Sequence, residues 1–154
     1  MNMAEALARN AQRFPTKPAL IDERRTLTHL DFHLRTNRLA NYLLKQGLSR
    51  GDRVALACGN RVEHLETIFA LAKIGVIAVP FDYSWKIHEY DAMIKFFEPS
   101  VFIVEEREET KNALDLITER LKPNYVLTIG TNITKRATSY EESLSRRQCR
   151  TIRK

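Results

Sequence analysis

Two histidines with helical spacing are the first side chains of this sequence that could do chemistry. His29 and His33 lie four residues apart, which would place two imidazoles on one face of a helix. A zinc site needs at least three protein ligands, and the other histidines, His64 and His88, fall on different predicted elements. Neither cysteine is placed near the pair. We therefore predict no metal site.

A segment near the end of the chain looks superficially like a phosphate-binding loop. Residues 128–135 read Thr-Ile-Gly-Thr-Asn-Ile-Thr-Lys, which combines one glycine, several threonines and a lysine. A Walker loop needs two glycines and a Lys-Ser/Thr pair at fixed spacing, and this segment lacks both. The sequence also has no nucleophile elbow and no paired carboxylates that stand apart from helical surface charge. We predict an ordinary surface loop and no catalytic residues.

Apolar periodicity indicates which elements position these residues. We predict a first helix over residues 2–14 and a small hairpin over residues 18–27. Further helices are expected from Thr28 to Gly47, from Asn60 to about Ile74, from about Lys86 to Phe97, and around Leu114, Ile117 and Leu121. Continuous apolar runs predict buried strands at residues 54–58, 76–80, 101–104 and 125–129.

The helix starts carry their own signals. Thr28 with Asp31, and Asn60 with Glu63, have the spacing of capping pairs. The acidic run Glu105, Glu106, Glu108 and Glu109 is expected at the start of the last long helix, where negative charge is favourable.

Strands that alternate with helices predict the fold class. This order is typical of an α/β fold with a mainly parallel sheet and helices on both faces. The chain of 154 residues fits one domain, which we assign to residues 1–145. Residues 146–154 form a basic segment that we expect to be a disordered tail.

The net charge of +6 is concentrated at one end of the chain. Of 25 basic residues, five lie in residues 146–154, which leaves 20 basic residues against 19 acidic ones in the rest. A nucleic-acid-binding domain carries its charge on a folded face, so we predict no nucleic-acid partner. If the tail did bind nucleic acid, its deletion would abolish salt-sensitive binding.

Other sequence features argue for a cytoplasmic protein without a membrane span. The longest apolar stretch runs from Val76 to Phe81, far short of the roughly 20 residues that a membrane helix needs. The first residues lack the apolar run of a signal peptide. Two cysteines, Cys58 and Cys149, do not make a disulfide framework.

Several segments, in their order and spacing, resemble AMP-forming acyl-CoA synthetases and their adenylate-forming relatives. They are Pro18-Ala-Leu-Ile21, Gly51-Asp-Arg-Val-Ala-Leu56, Phe69-Ala-Leu-Ala-Lys-Ile-Gly75, Val79-Pro80 and Ser139-Tyr-Glu-Glu-Ser-Leu144. The resemblance covers about residues 2–146, the N-terminal portion of such an enzyme. It therefore implies part of the N-terminal subdomain of the acyl-CoA synthetase fold.

The resemblance also implies an activity for the parent enzyme. Such enzymes join a carboxylic acid, here expected to be a fatty acid, to AMP and then to CoA, and they use ATP, Mg and CoA. Their phosphate loop, rich in Ser, Thr and Gly with a Lys, would follow the Ser139–Leu144 segment. The five glycines of this chain include no two close enough to form one, and residues 146–154 do not resemble the family. We expect a truncated ligase fragment that binds no cofactor and is inactive alone.

The loop Phe81-Asp-Tyr-Ser-Trp85 follows the carboxyl end of a predicted strand, where open parallel sheets bind ligands. Relatives commonly have Asn-Pro-basic here, so contact with CoA phosphates is not expected. Tyr83 and Trp85 are candidates to line an acyl or pantetheine path. The alternative is that both side chains pack against the rest of the enzyme.

Two further expectations concern partners. The chain could be a free-standing α/β binding module that complements a separately encoded catalytic half, and co-purification with that half would favour this alternative. A truncated domain would expose apolar surface that later segments cover, so we expect self-association or association with the remainder of the enzyme.

Overall fold

The computed structural model describes residues 3–122, 125–130 and 136–145. Its helices are α1 (Met3–Arg13), α2 (His29–Lys45), α3 (Val62–Ile74), α4 (Ile87–Phe97), α5 (Lys111–Arg120) and α6 (Tyr140–Ser143). Its strands are β1 (Pro18–Ile21), β2 (Thr26–Thr28), β3 (Arg53–Ala57), β4 (Ile77–Pro80), β5 (Val101–Glu105), β6 (Val126–Ile129) and β7 (Thr138–Ser139). The basic segment 146–154 and residues 131–135 lie outside the described residues.

Five of the described strands form one parallel sheet in the order β4-β3-β5-β6-β7. The register pairs Ala55 of β3 with Val79 of β4 on one side and with Phe102 of β5 on the other. The strands β1 and β2 pair antiparallel as a separate hairpin. The predicted α/β class with a parallel sheet is confirmed.

Two apolar clusters cover the two faces of the sheet. Alternate strand residues point to opposite faces, so Leu56 and Ile103 pack with α2 and α3, while Phe102 and Val104 pack with α4 and α5. These strand side chains are fully buried. The continuous apolar runs of the sequence follow from a sheet that is covered on both faces.

The observed ends of α2 and α3 have local causes. The Thr28 hydroxyl oxygen accepts the Asp31 backbone N–H at 3.1 Å, as its capping signal predicted. Gly75 ends α3 with a φ of 71°, a left-handed conformation that glycine adopts without steric cost. A side chain at Gly75 would also meet Arg50, whose Cγ lies 3.0 Å from the position of an added Cβ.

Two predicted helix starts are wrong. The N-cap position of α3 is Arg61, not Asn60. The Arg61 side chain makes no capping hydrogen bond. The Val62 backbone N–H instead donates to the carboxylate of Asp22 in the β1–β2 turn, at 3.1 Å. The acidic run does not open a helix either, because Glu105 is the last residue of β5 and the first turn of α5 contains no acidic residue.

The strand β7 is a third difference from the sequence prediction. It has only two residues, Thr138 and Ser139, which are too few to show any apolar period, and it pairs with Leu127 and Thr128 of β6.

In the described part of the chain, no helix combines the length and apolar character needed to cross a membrane.

Candidate functional site at the carboxyl edge of the sheet

The point where the chain changes direction across the sheet lies between β3 and β5. From β3 the chain passes through α3 to β4 on one side, and from β5 it passes through α5 to β6 on the other. The two connecting helices lie on opposite faces of the sheet. In open α/β sheets, ligands bind in the crevice outside the carboxyl ends of such adjacent strands. We therefore expect a ligand-binding site of this sheet to lie in this crevice.

The side chain of Glu105 occupies the crevice. It is 4% exposed, and its Oε2 accepts the backbone N–H of Gly59 at 2.9 Å. Arg61 donates to Oε1 at 2.9 Å, and Arg107 lies 3.4 Å from Oε2. Burial acts to raise the pKa of this carboxyl group, but the N–H of Gly59 and the guanidinium of Arg61 outweigh burial and hold the pKa below its usual value. Glu105 thus places an anion of the protein itself where a ligand anion would otherwise meet a free backbone N–H.

A chain of ion pairs extends from Glu105 along the carboxyl edge. Arg61 also contacts both oxygens of Glu63 at 3.1 Å. Arg25, from the hairpin, donates to Glu63 at 2.5 Å and to Glu141 of α6 at 3.2 Å. Glu63 is 4% exposed, so its charge is desolvated and depends on these two guanidinium groups. The network joins the hairpin, α3, β5 and α6.

A second branch of the ion-pair network lies in the interior between α2 and α3. Glu66 is fully buried, and its carboxylate is paired with Arg35. The Tyr140 hydroxyl lies 3.1 Å from Oε2 of the same carboxylate. Arg35 also donates to Glu141, from Nη1 to Oε2 at 3.0 Å and from Nη2 to Oε1 at 2.7 Å. Burial would lower the pKa of Arg35, but its two carboxylate partners raise it above the usual value, so the guanidinium stays charged.

The cleft beside this network has a volume of about 330 Å³. Its charged lining consists of four carboxylates and two guanidinium groups, from Glu63, Glu105, Glu106, Glu141, Arg24 and Arg61. Arg25 and Arg35, which pair with Glu63 and Glu141, balance part of this negative charge. The Gly59 N–H is already bound to Glu105, so a phosphate would have to compete with that carboxylate for it.

The two candidate substrate-binding residues lie in different surroundings. The Tyr83 ring faces the crevice, with the guanidinium carbon of Arg107 at 4.4 Å from its centroid. The Trp85 ring packs with Phe81, at a centroid distance of 5.4 Å, and with Tyr90, at 6.2 Å. Contact with substrate stays a prediction for both residues. The Tyr83 ring contacts Arg107 of the ion-pair network, whereas Trp85 is part of the apolar packing beneath α4.

The other sequence candidates are dispersed. His33 contacts Asn37 and Lys73, and no group of three or more His, Cys, Asp or Glu side chains within the described ranges could hold a metal ion. Cys58 lies 3.5 Å from His64, and burial, together with the charge of Glu105, raises the pKa of its thiol to about 12. Such a thiol is not a nucleophile near neutral pH.

The ion-pair network was not predicted from the sequence. A signal for Glu105 exists, because a charged residue directly follows the four buried residues Val101–Val104 at a strand end. No local pattern connects Arg25 with Glu141, which are 116 residues apart. Only the fold brings those two side chains together.

Comparisons with known proteins identify the family. A family model described as AMP-binding enzyme matches residues 7–151. The pyochelin synthase PchD of Pseudomonas aeruginosa is 39% identical over 106 residues, which are 69% of this chain and 19% of that protein. The fatty acid–[acyl-carrier-protein] ligase ScoC of Streptomyces coeruleorubidus is 40% identical over 78 residues, which are 51% of this chain and 15% of that protein. The chain thus spans less than a fifth of the length of these relatives.

The fold comparison agrees with the sequence comparison. A crystal structure from Rhodopseudomonas palustris, assigned as a long-chain-fatty-acid CoA ligase, superposes with a TM-score of 0.83 at 28% identity. The match covers 95% of this chain and 37% of that one. On the family match and this shared fold, the chain belongs to the AMP-binding enzyme family.

Proposed function

We propose that this chain forms the N-terminal part of an ATP-dependent, AMP-forming ligase that joins a carboxylic acid of the fatty acid class to CoA. In that reaction the acid carboxylate displaces pyrophosphate from ATP, and the acyl group of the resulting acyl adenylate then passes to the thiol of CoA. The relatives named as fatty acid ligases support the acid class. The name of ScoC specifies a carrier protein as acceptor, which makes that acceptor the alternative to CoA.

Within this enzyme the chain supplies a supporting frame. The observation that carries this proposal lies between the carboxyl ends of β3 and β5, where the Glu105 carboxylate accepts the Gly59 N–H that a ligand anion could otherwise bind. The nucleotide, Mg and CoA would therefore be held by other parts of the enzyme. A cytoplasmic location, as expected from the sequence, is part of this proposal.

A chimera tests the proposed frame directly. Residues 7–145 would replace the structurally equivalent segment of the Rhodopseudomonas palustris protein, and ATP–pyrophosphate exchange would be measured with fatty acids of several chain lengths. We expect the chimera to retain exchange, because the substituted segment contributes packing and not phosphate ligands. The 154-residue chain alone should show none.

Two outcomes would contradict the proposal. One is a folded chimera, checked by circular dichroism, that lacks exchange while the unsubstituted protein shows it in the same assay. The other is exchange catalysed by the 154-residue chain alone.

A further inference from the structure

The carboxylate of Glu105 is held in the way that a protein holds a bound oxyanion. Its Oε2 accepts the backbone N–H of Gly59 at 2.9 Å, and its Oε1 accepts Nη1 of Arg61 at 2.9 Å. The guanidinium of Arg107 lies 3.4 Å from Oε2. A backbone N–H together with guanidinium groups is a general receptor for carboxylate and phosphate oxygens. The donors around Glu105 therefore have the chemistry of an anion-binding site.

The absence of a side chain at Gly59 leaves room for this oxyanion. A Cβ added at Gly59 would lie 3.1 Å from Nη1 of Arg107 and 3.5 Å from Oε2 of Glu105. The shorter of these distances is below ordinary van der Waals contact, so a side chain here would push the guanidinium away from the anion. Glycine thus permits the close approach of backbone and oxyanion that the receptor requires.

A cleft of about 390 Å³ lies beside these donors and gives a ligand from solvent access to them. The charged side chains that line it come from the hairpin turn, the β3–α3 connection and the end of β5, namely Asp22, Glu23, Arg24, Arg61, Glu105 and Arg107. Without the charge of Glu105, three guanidinium groups in this lining would face two carboxylates. One of the two, Asp22, already accepts three backbone N–H groups.

Other carboxylates share the two arginines but leave the Gly59 N–H to Glu105. Arg61 also contacts Glu63 at 3.1 Å, and Arg107 lies 3.7 Å from Glu109. Removing the Glu105 carboxylate would therefore free one backbone donor and one partner position on each guanidinium. Donors converge on this position, so an oxyanion fits it and a metal ion does not.

We propose that Gly59, Arg61 and Arg107 form a binding site for a ligand carboxylate or phosphate group, and that Glu105 is the internal ligand that keeps the site closed. Because Glu105 is tethered to the site, it competes with a free anion at a high effective concentration. An external oxyanion binds when the Glu105 carboxylate leaves the Gly59 N–H. Binding at this site involves no ligation step, so its test is independent of the proposed ligase function.

Removal of the internal ligand tests the site. In the Glu105→Ala variant of the 154-residue chain, acetate matches the deleted part of the side chain, and acetamide is its neutral counterpart. Acetate, inorganic phosphate and acetamide would each be titrated at constant ionic strength, and the amide resonance of Gly59 would be followed by NMR. We expect acetate or phosphate to saturate at a concentration at least about tenfold lower in E105A than in the unsubstituted chain.

The three titrations separate the possible ligands. Saturation by acetate alone assigns the site to a carboxylate, and saturation by phosphate alone assigns it to a phosphate group. The proposal is wrong if neither anion binds E105A more tightly than the unsubstituted chain. It is also wrong if acetamide binds as tightly as both anions, because the variant then offers only an empty space.

A second substitution locates the bound anion. Adding Arg107→Gln to E105A should raise the half-saturation concentration about tenfold, since one charged donor is lost. Adding Glu108→Ala, an exposed position next to Arg107, should leave it unchanged. Equal effects of the two substitutions would show that the anion binds elsewhere.

Glu105→Gln gives the same test if E105A does not fold. Its side chain fills the space of Glu105 without the charge, so phosphate should again saturate at a lower concentration than in the unsubstituted chain. A folded E105Q protein that binds phosphate no more tightly than the unsubstituted chain would overturn the proposal.

Discussion

At the scale of single residues, Glu105 supplies the anion that accepts the Gly59 backbone N–H between the carboxyl ends of β3 and β5. A buried carboxylate is costly unless donors surround it, and here a backbone N–H and two arginines provide them. The same contacts stabilise the ends of β3 and β5 against each other. Glu105 is therefore a structural anion in the position of a ligand anion.

Substituting this residue should destabilise the fold. We expect Glu105→Gln to lower the free energy of unfolding by about 2 kcal/mol, because Arg61 and Arg107 lose a charged partner at a buried position. The exposed Glu108→Gln, three residues away, should change it by less than about 0.5 kcal/mol. Urea denaturation measures both, and equal midpoints for the two variants would show that the pairing contributes nothing.

The acid dependence of stability follows from the same contacts. Burial acts to raise the pKa values of Glu105 and Glu141, but arginine partners and, for Glu105, a backbone N–H outweigh burial and hold both pKa values below the usual value. A carboxyl group with a lowered folded-state pKa stabilises the fold above its unfolded pKa, and that contribution is lost as the pH falls through the folded value. The urea concentration at the unfolding midpoint should therefore fall as the pH is lowered below 4.5. It should fall less steeply in E105Q. A midpoint that is constant from pH 6 to pH 3 would contradict this.

At the scale of elements, the β1–β2 hairpin is tied to the start of α3. The Asp22 carboxylate accepts the backbone N–H groups of Arg24 at 2.8 Å and Arg25 at 2.9 Å within its own turn, and that of Val62 at 3.1 Å. One side chain thus shapes the hairpin turn and caps a helix 40 residues later. Arg25 is thereby held where it can pair with Glu63.

The two possible caps of α3 can be distinguished by a pair of substitutions. Asp22→Ala should lower the free energy of unfolding by about 1 kcal/mol, the usual contribution of a helix cap. Asn60→Ala should leave it nearly unchanged, since no Asn60 capping bond forms. Thermal denaturation of both variants is the measurement. A larger loss of unfolding free energy in N60A than in D22A would show instead that the local Asn60–Glu63 pair caps α3.

This helix start shows what sequence patterns can and cannot predict. The strands β3 and β5 were predictable because a sheet covered on both faces requires continuous apolar runs, and Gly75 marked the end of α3 because its conformation is local. The cap from Asp22 was not predictable, because a local Asn60–Glu63 spacing competes with a partner that only tertiary folding supplies. Glu105 was misplaced for a related reason: nothing local distinguishes the last strand residue from the loop that follows it.

At the scale of the whole molecule, the described residues form a sheet with both faces covered, but some large apolar side chains stay outside the core. Ile21 of the hairpin is 73% exposed, and Phe96 of α4 is 75% exposed. Apolar side chains exposed in this way favour association where they form a contiguous patch with their neighbours.

Isolated, the chain should therefore self-associate. Size-exclusion chromatography with light scattering should show a mass that rises with protein concentration. Phe96→Ser should weaken that rise, whereas Lys95→Ser, on the neighbouring exposed position, should not. A concentration-independent monomer would show that these apolar side chains do not drive association.

If these residues build a frame and leave the nucleotide to other parts of the enzyme, as we propose, calorimetric titration of the purified chain with MgATP should give no saturable heat of binding. We expect this at every ATP concentration up to the millimolar range. A saturable isotherm with one ATP per chain would contradict it.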